Sequence, residues 1–208
     1  MQLDKYMKKT TTAVLIILFA LSPVLFLQCR GKNTDTSNSE PWTPDSEKFA
    51  LEYPLVGSDN IFVYRSIEQT VEILENGTGI VFLGFKECSW CQLYAVFLND
   101  VAQEMKMNRI FYCDIREDRQ NNTESYQRIV QLLHGQLQYD DEGRERVFVP
   151  DVTIIDSGMI IARDFETSKY TLGYETAEEY WNEERLVALK DRFRVGMEEL
   201  SRACSSCD

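Results

Sequence analysis

Histidine is almost missing from this chain of 208 residues: the only one is His134. A single imidazole excludes sites with two or more histidine ligands from one chain, and a Cys-His or Ser-His nucleophile would have to use that residue. Clustered Lys and Arg are also missing beyond the N-terminus, and 34 acidic against 22 basic side chains leave a net charge of −12. No nucleic-acid partner is expected, because neutralising phosphates takes grouped cations. Glycine and proline are sparse, at 10 and 5, which rules out collagen-like and low-complexity classes. A 44% hydrophobic content allows a buried core, and the length suits one domain with an appendage. There is no internal repeat.

The N-terminus reads as an address. Lys5, Lys8 and Lys9 precede an apolar run from Ala13 to Leu27, the order of a positive n-region and an h-region. Residues 1–29 are therefore expected to be a cleaved signal peptide or, in the second reading, a membrane anchor. The charge asymmetry places the rest of the chain outside the cytoplasm in either case, on the outer membrane face, in the envelope or secreted. Cys29 stands where a bacterial lipoprotein carries its lipidated cysteine, although Phe26-Leu27-Gln28 replace the small residues usual before it. Residues 1–28 hold three Lys and one Asp, so the remainder carries 19 basic and 33 acidic side chains, a charge of −14. Residues 30–56, with GKNTDTSNSEPWTPDSEK at 31–48, read as a flexible tether too polar to bury its own core.

From residue 57 the periodicity alternates between strand and helix. IFVYR at 61–65 is a strand; Ser66 with Gln69 makes a capping box for VEILEN; GIVFLGF at 79–85 has the continuous apolar character of a central strand. Helices follow over 91–105 and 124–137, strands over 109–115 and 151–156, and Ser157-Gly158 turns the chain into a strand at 159–163. A last helix begins at Thr176, with Glu179 as capping partner. The expected order is β-α-β-α-β-α-β-β-α: an α/β domain over 57–208 whose central mixed sheet has helices on both sides.

Cys88-Ser89-Trp90-Cys91 lies between the central strand and the helix after it. A helix N-terminus presents unpaired N–H groups and the positive end of the macrodipole, and both favour a thiolate. Two-residue spacing lets Cys91 resolve a mixed disulfide formed at Cys88. Lys86 is a nearby positive charge, Glu87 opposes it, and Ser89 stands beside the first thiol, so these three are the expected tuning residues.

Here the chain resembles the thioredoxin-like family over roughly residues 57–203. The resemblance is carried by VFLGFKECSWCQL, the helix after it, the strand FYCDI and the step Val149-Pro150-Asp151 into DVTIID. It implies a thioredoxin-like fold and a cis-proline at Pro150 facing the cysteines. It also implies that Val149, Pro150 and Trp90 contact the substrate. Thioredoxins carry a buried Asp six residues before the first cysteine and Gly-Pro between the cysteines; here these are Phe82 and Ser89-Trp90. Those departures point away from a cytosolic general reductase and toward an exported relative. The stretch SIEQTVEILENGTGIVFLGFKECSWCQ is most similar to exported bacteriocin transport accessory-type proteins.

The resulting expectation is an extracytoplasmic thiol-disulfide oxidoreductase that needs no cofactor and no metal. Its partners are protein disulfides or dithiols and a second protein that recharges the dithiol. The alternative is a non-catalytic accessory module in which Cys88 and Cys91 form a structural disulfide. Cys204 and Cys207 repeat the spacing at the end of the last helix, where the dipole disfavours thiolate. They read as a terminal disulfide or fraying thiols, as an auxiliary redox pair, or as metal ligands. Cys113 reads as a buried strand residue, and residues 138–145 as an acidic surface insertion.

Overall fold

The computed structural model describes residues 44–165, 173–174 and 176–205. The expected signal or anchor over 1–29, its Cys29, the tether up to residue 43, and Cys207 lie outside the described residues. Cys204 is described only as backbone within the last helix.

The first element, α1 (Ser46–Glu52), lies where a tether was expected. Asp45 caps it by accepting the Lys48 N–H at 3.1 Å. Its Phe49 and the following Tyr53 are fully buried. The segment is polar on average, yet two aromatics four residues apart on one helical face find a core to enter. The tether is accordingly corrected to end before Asp45.

β1 (Phe62–Tyr64), α2 (Ile67–Asn76) and β2 (Gly79–Gly84) follow, with the Ser66–Gln69 capping box formed in both directions. Next come α3 (Ser89–Glu104), β3 (Ile110–Asp114), α4 (Arg116–Asn121) and α5 (Glu124–Leu132). The region expected as a surface insertion forms a hairpin of β4 (Gln138–Tyr139) and β5 (Glu145–Arg146). β6 (Asp151–Asp156), β7 (Met159–Asp164), α6 (Ala177–Tyr180) and α7 (Glu183–Ser205) complete the described chain.

The order differs from the expected one at four places. α1 precedes the first strand, α4 is a separate helix before α5, the β4–β5 hairpin is inserted, and the last helix is two. The break has a local cause. Thr176 caps α6 as expected, by accepting the Glu179 N–H, but Asn182 then caps a new helix by accepting the Arg185 N–H at 3.0 Å.

Five strands form one mixed sheet in the order β1-β3-β2-β6-β7. β3 runs parallel to both β1 and β2, whereas β6 is antiparallel to β2 and to β7. Alternation along β2 divides the core: Ile80 and Phe82 face α1, α3 and α7, while Val81 and Leu83 face α2 and α5. The β6–β7 turn is tight, with φ positive at Ser157 and Gly158. Gly158 donates its N–H to the Gly77 carbonyl at 2.9 Å, and a Cβ there would lie 2.0 Å from the Glu75 carbonyl oxygen. Only glycine fits where this turn meets the end of α2.

Candidate active site

Cys88 is the N-cap of α3, and its Sγ accepts the Cys91 N–H at 3.1 Å. The cap is placed by the loop before it. The Cys88 N–H donates to the Phe85 carbonyl at 3.1 Å, and the Gln92 amide donates to the carbonyls of Lys86 and Glu52, both at 2.7 Å. Thus α1, unforeseen from the sequence, is tied directly to the cysteine loop.

The two thiols are unequal. Cys88 is half-buried, and its pKa is lowered, first by the hydrogen bond from the Cys91 thiol, against the cost of burial, and then by the N–H groups of Cys91 and Trp90 and the charge of Arg119. Cys91 is fully buried, and its pKa is raised well above the ordinary thiol range by burial and by its bond to Cys88. One sulfur is set up to carry negative charge and the other to keep its proton. That division suits a dithiol in which the outer thiol attacks and the inner one resolves. Gly84 makes room for the inner sulfur: a Cβ there would lie 3.4 Å from Cys91 Sγ and 2.9 Å from the Phe82 ring.

Asp151 pairs with Leu83 across the sheet, so Pro150, one residue earlier, comes to the end of β2 at the level of Gly84. The Val149–Pro150 peptide bond is cis. Val149 is half-buried and packs against both halves of the core. Trp90 is half-buried, its ring 5.6 Å from that of Tyr180 in α6 and roughly perpendicular to it.

The flanking charges are engaged elsewhere. Lys86 pairs with Glu52 at 3.7 Å, and Glu87 with Arg116 at 3.0 Å; Ser89 is exposed on the first turn of α3. The cation whose field reaches both cysteines is Arg119, on α4. Its guanidinium lies 5.0 Å from the Phe85 ring centre and donates to the Val147 carbonyl at 3.3 Å. Sequence reasoning missed it because 31 positions in the chain separate it from Cys88. The available signal was topological: β2 and β3 are consecutive parallel strands, so the segments leaving their C-terminal ends lie at the same edge of the sheet.

Phe82 occupies the position beneath Cys91, wholly buried and within 6.3 Å, centre to centre, of the rings of Tyr53, Tyr94 and Tyr112. Two of these tyrosines pair their hydroxyls, Tyr53 donating to Tyr112 at 3.0 Å. Cys113, on the opposite face of the sheet, is buried with its pKa pushed up to about 12. No group of side chains suited to holding a metal occurs among the described residues. No family model matches this chain, and no curated protein matches its sequence.

Proposed function

We propose that this protein is a thiol-disulfide oxidoreductase of thioredoxin-like type, acting outside the cytoplasm on protein disulfides or dithiols and recharged by a second redox protein. The observation that carries this reading is the placement of Cys88 as the N-cap of α3 with Cys91 buried behind it. In the reductive direction the Cys88 thiolate attacks one sulfur of a substrate disulfide. The substrate S–S bond breaks, one sulfur leaves as a thiolate that takes up a proton, and Cys88 is left in a mixed disulfide. Cys91 then gives up its proton and attacks Cys88 Sγ, which releases the second substrate thiol and leaves a Cys88–Cys91 disulfide. Two electrons pass from the dithiol to the substrate, and the oxidative direction reverses each step. In this reading Val149, Pro150 and Trp90 form the substrate-contact surface, and Arg119 supports the thiolate.

The test is a redox titration of the full 208-residue chain, following Cys88 and Cys91 by alkylation mass against defined dithiol buffers. A reversible two-electron couple supports the proposal, with a potential near about −120 mV indicating an oxidant and near about −270 mV a reductant. A pair that stays oxidised below roughly −300 mV is a structural bridge, and the reading as a non-catalytic accessory module then replaces this one.

A further inference from the structure

Beside Cys88 the surface departs from the acidic balance of the chain as a whole. A groove of about 890 Å³ runs from Phe85 and Glu87 to the β4–β5 hairpin, and four arginines line it. Two of them are neutralised. Arg116 meets Glu87 at 3.0 Å, and Arg144 meets Asp140 at 3.0 Å and also pairs with Glu142. The remaining carboxylate of the groove, Glu145, is engaged by His134 Nδ1 at 2.5 Å and by the Gly135 N–H at 3.0 Å. Arg119 and Arg146 have no carboxylate partner among the described residues. Each sits near the other's charge: besides burial, Arg146 is what lowers the Arg119 pKa. Two half-buried guanidiniums without a carboxylate partner thus line one groove of a chain whose net charge is −12.

We infer that this groove is a specificity subsite for carboxylate side chains flanking the target disulfide, with Arg146 receiving the carboxylate and Arg119 closing the end of the groove nearest Cys88. The inference rests on the oxidoreductase reading and names the substrate class of that site, an acidic peptide segment. Guanidinium forks match carboxylates in geometry as well as charge. The surrounding acidic surface repels such a segment everywhere else, so the groove also fixes the direction in which the partner crosses Cys88. A densely charged polyanion fits less well, because only two cations are uncommitted and the net charge opposes it.

The experiment offers the reduced full chain three short disulfide-cyclised peptides that differ only at two flanking positions, Glu-Glu, Gln-Gln or Lys-Lys, and measures the rate of disulfide reduction. At about 50 mM salt the Glu peptide is expected to react about fivefold faster than the Gln peptide and the Lys peptide slowest, with the ratios shrinking toward one near about 500 mM. R146E is expected to reverse the order of the Glu and Lys peptides, and R146Q to bring the Glu-to-Gln ratio close to one. Equal rates for the Glu and Lys peptides in the wild type overturn the inference while leaving the redox reading in place, as does a preference that survives both variants. Failure of the reduced chain to reduce any of the peptides, together with failure of the oxidised chain to oxidise their dithiol forms, overturns the redox reading and this inference with it.

Discussion

On the side of the sheet that carries the cysteine loop the core is rich in rings, with Phe49 stacked on Phe62 and on Tyr53, and Phe82 among three tyrosines. On the other side it is mostly aliphatic, built from Val63, Ile73, Leu74, Val81, Leu83 and Ile129. The two sides also handle buried polarity differently. The ring side pairs two neutral hydroxyls, Tyr53 and Tyr112, whose pKa values are both driven up chiefly by burial. The aliphatic side encloses an ion pair, Asp151 with Arg163, the two side chains 0% and 3% exposed. Each side also holds a buried thiol with a raised pKa, Cys91 on the first and Cys113 on the second. Burial alone therefore silences a thiol. What sets Cys91 apart is a second sulfur at a helix N-terminus within reach of its proton.

The contrast can be broken most severely at Phe82. Phe82→Ala removes the ring that the others pack around and is expected to cost about 4 kcal/mol in urea unfolding, against about 3 kcal/mol for Leu83→Ala on the aliphatic side. Equal costs would mean that the aromatic layer has no special cohesion. Next in size, Asp151→Ala strands Arg163 in the interior and should cost about 3 kcal/mol, whereas the double change Asp151→Leu with Arg163→Met should recover most of that loss. A double variant no more stable than the single one would show that the pair holds the aliphatic side together.

The thiols sharpen the same comparison. At pH 7 Cys88 should alkylate at least about a hundredfold faster than Cys91 or Cys113 in the reduced protein. A lowered pKa means that thiolate accumulates at lower pH. The Cys88 rate should therefore climb and level off below the pH at which a free cysteine, of pKa about 8.5, does so. Site-resolved mass spectrometry across pH 5 to 9, about the window of that titration, checks this, and a Cys88 profile matching free cysteine would refute the assigned asymmetry. The smallest effect is expected for Tyr53→Phe, about 1 kcal/mol for one lost hydroxyl bond in an intact ring stack. A loss several times larger would make the hydroxyl pair, and not the stacking, the main support of that side.

Much of this architecture is written locally in the sequence. The Ser66 capping box, the apolar run of β2, the Ser157-Gly158 turn and the strand–CxxC–helix order each rest on residues within a few positions of one another, where short-range geometry decides. The placement of Cys88 and Cys91 on α3 was readable for that reason. The features that were not readable depend on contacts across the chain. α1 forms because Phe49 and Tyr53 find a core supplied by β1, β2 and β3. Asn182 restarts a helix whose apolar spacing looked unbroken from Thr176. Arg119 acquires its role only when β3 is laid beside β2, and Lys86, the cation nearest in sequence, turns instead to Glu52. Residue type and spacing located the sulfurs, while the charges around them came from the sheet order.

The contact of Gly158 with the end of α2 carries an implication for how this chain can vary. Beside that contact, Thr78 Oγ1 both accepts the Ser157 N–H at 2.8 Å and donates to the Asp156 carboxylate at 3.1 Å. One residue inserted between Asn76 and Gly79 would carry the Gly77 carbonyl and the Thr78 hydroxyl out of reach of the turn together. The parallel and antiparallel halves of the sheet are thus latched by a loop of fixed length. Descendants of this sequence should keep the residue count of that latch.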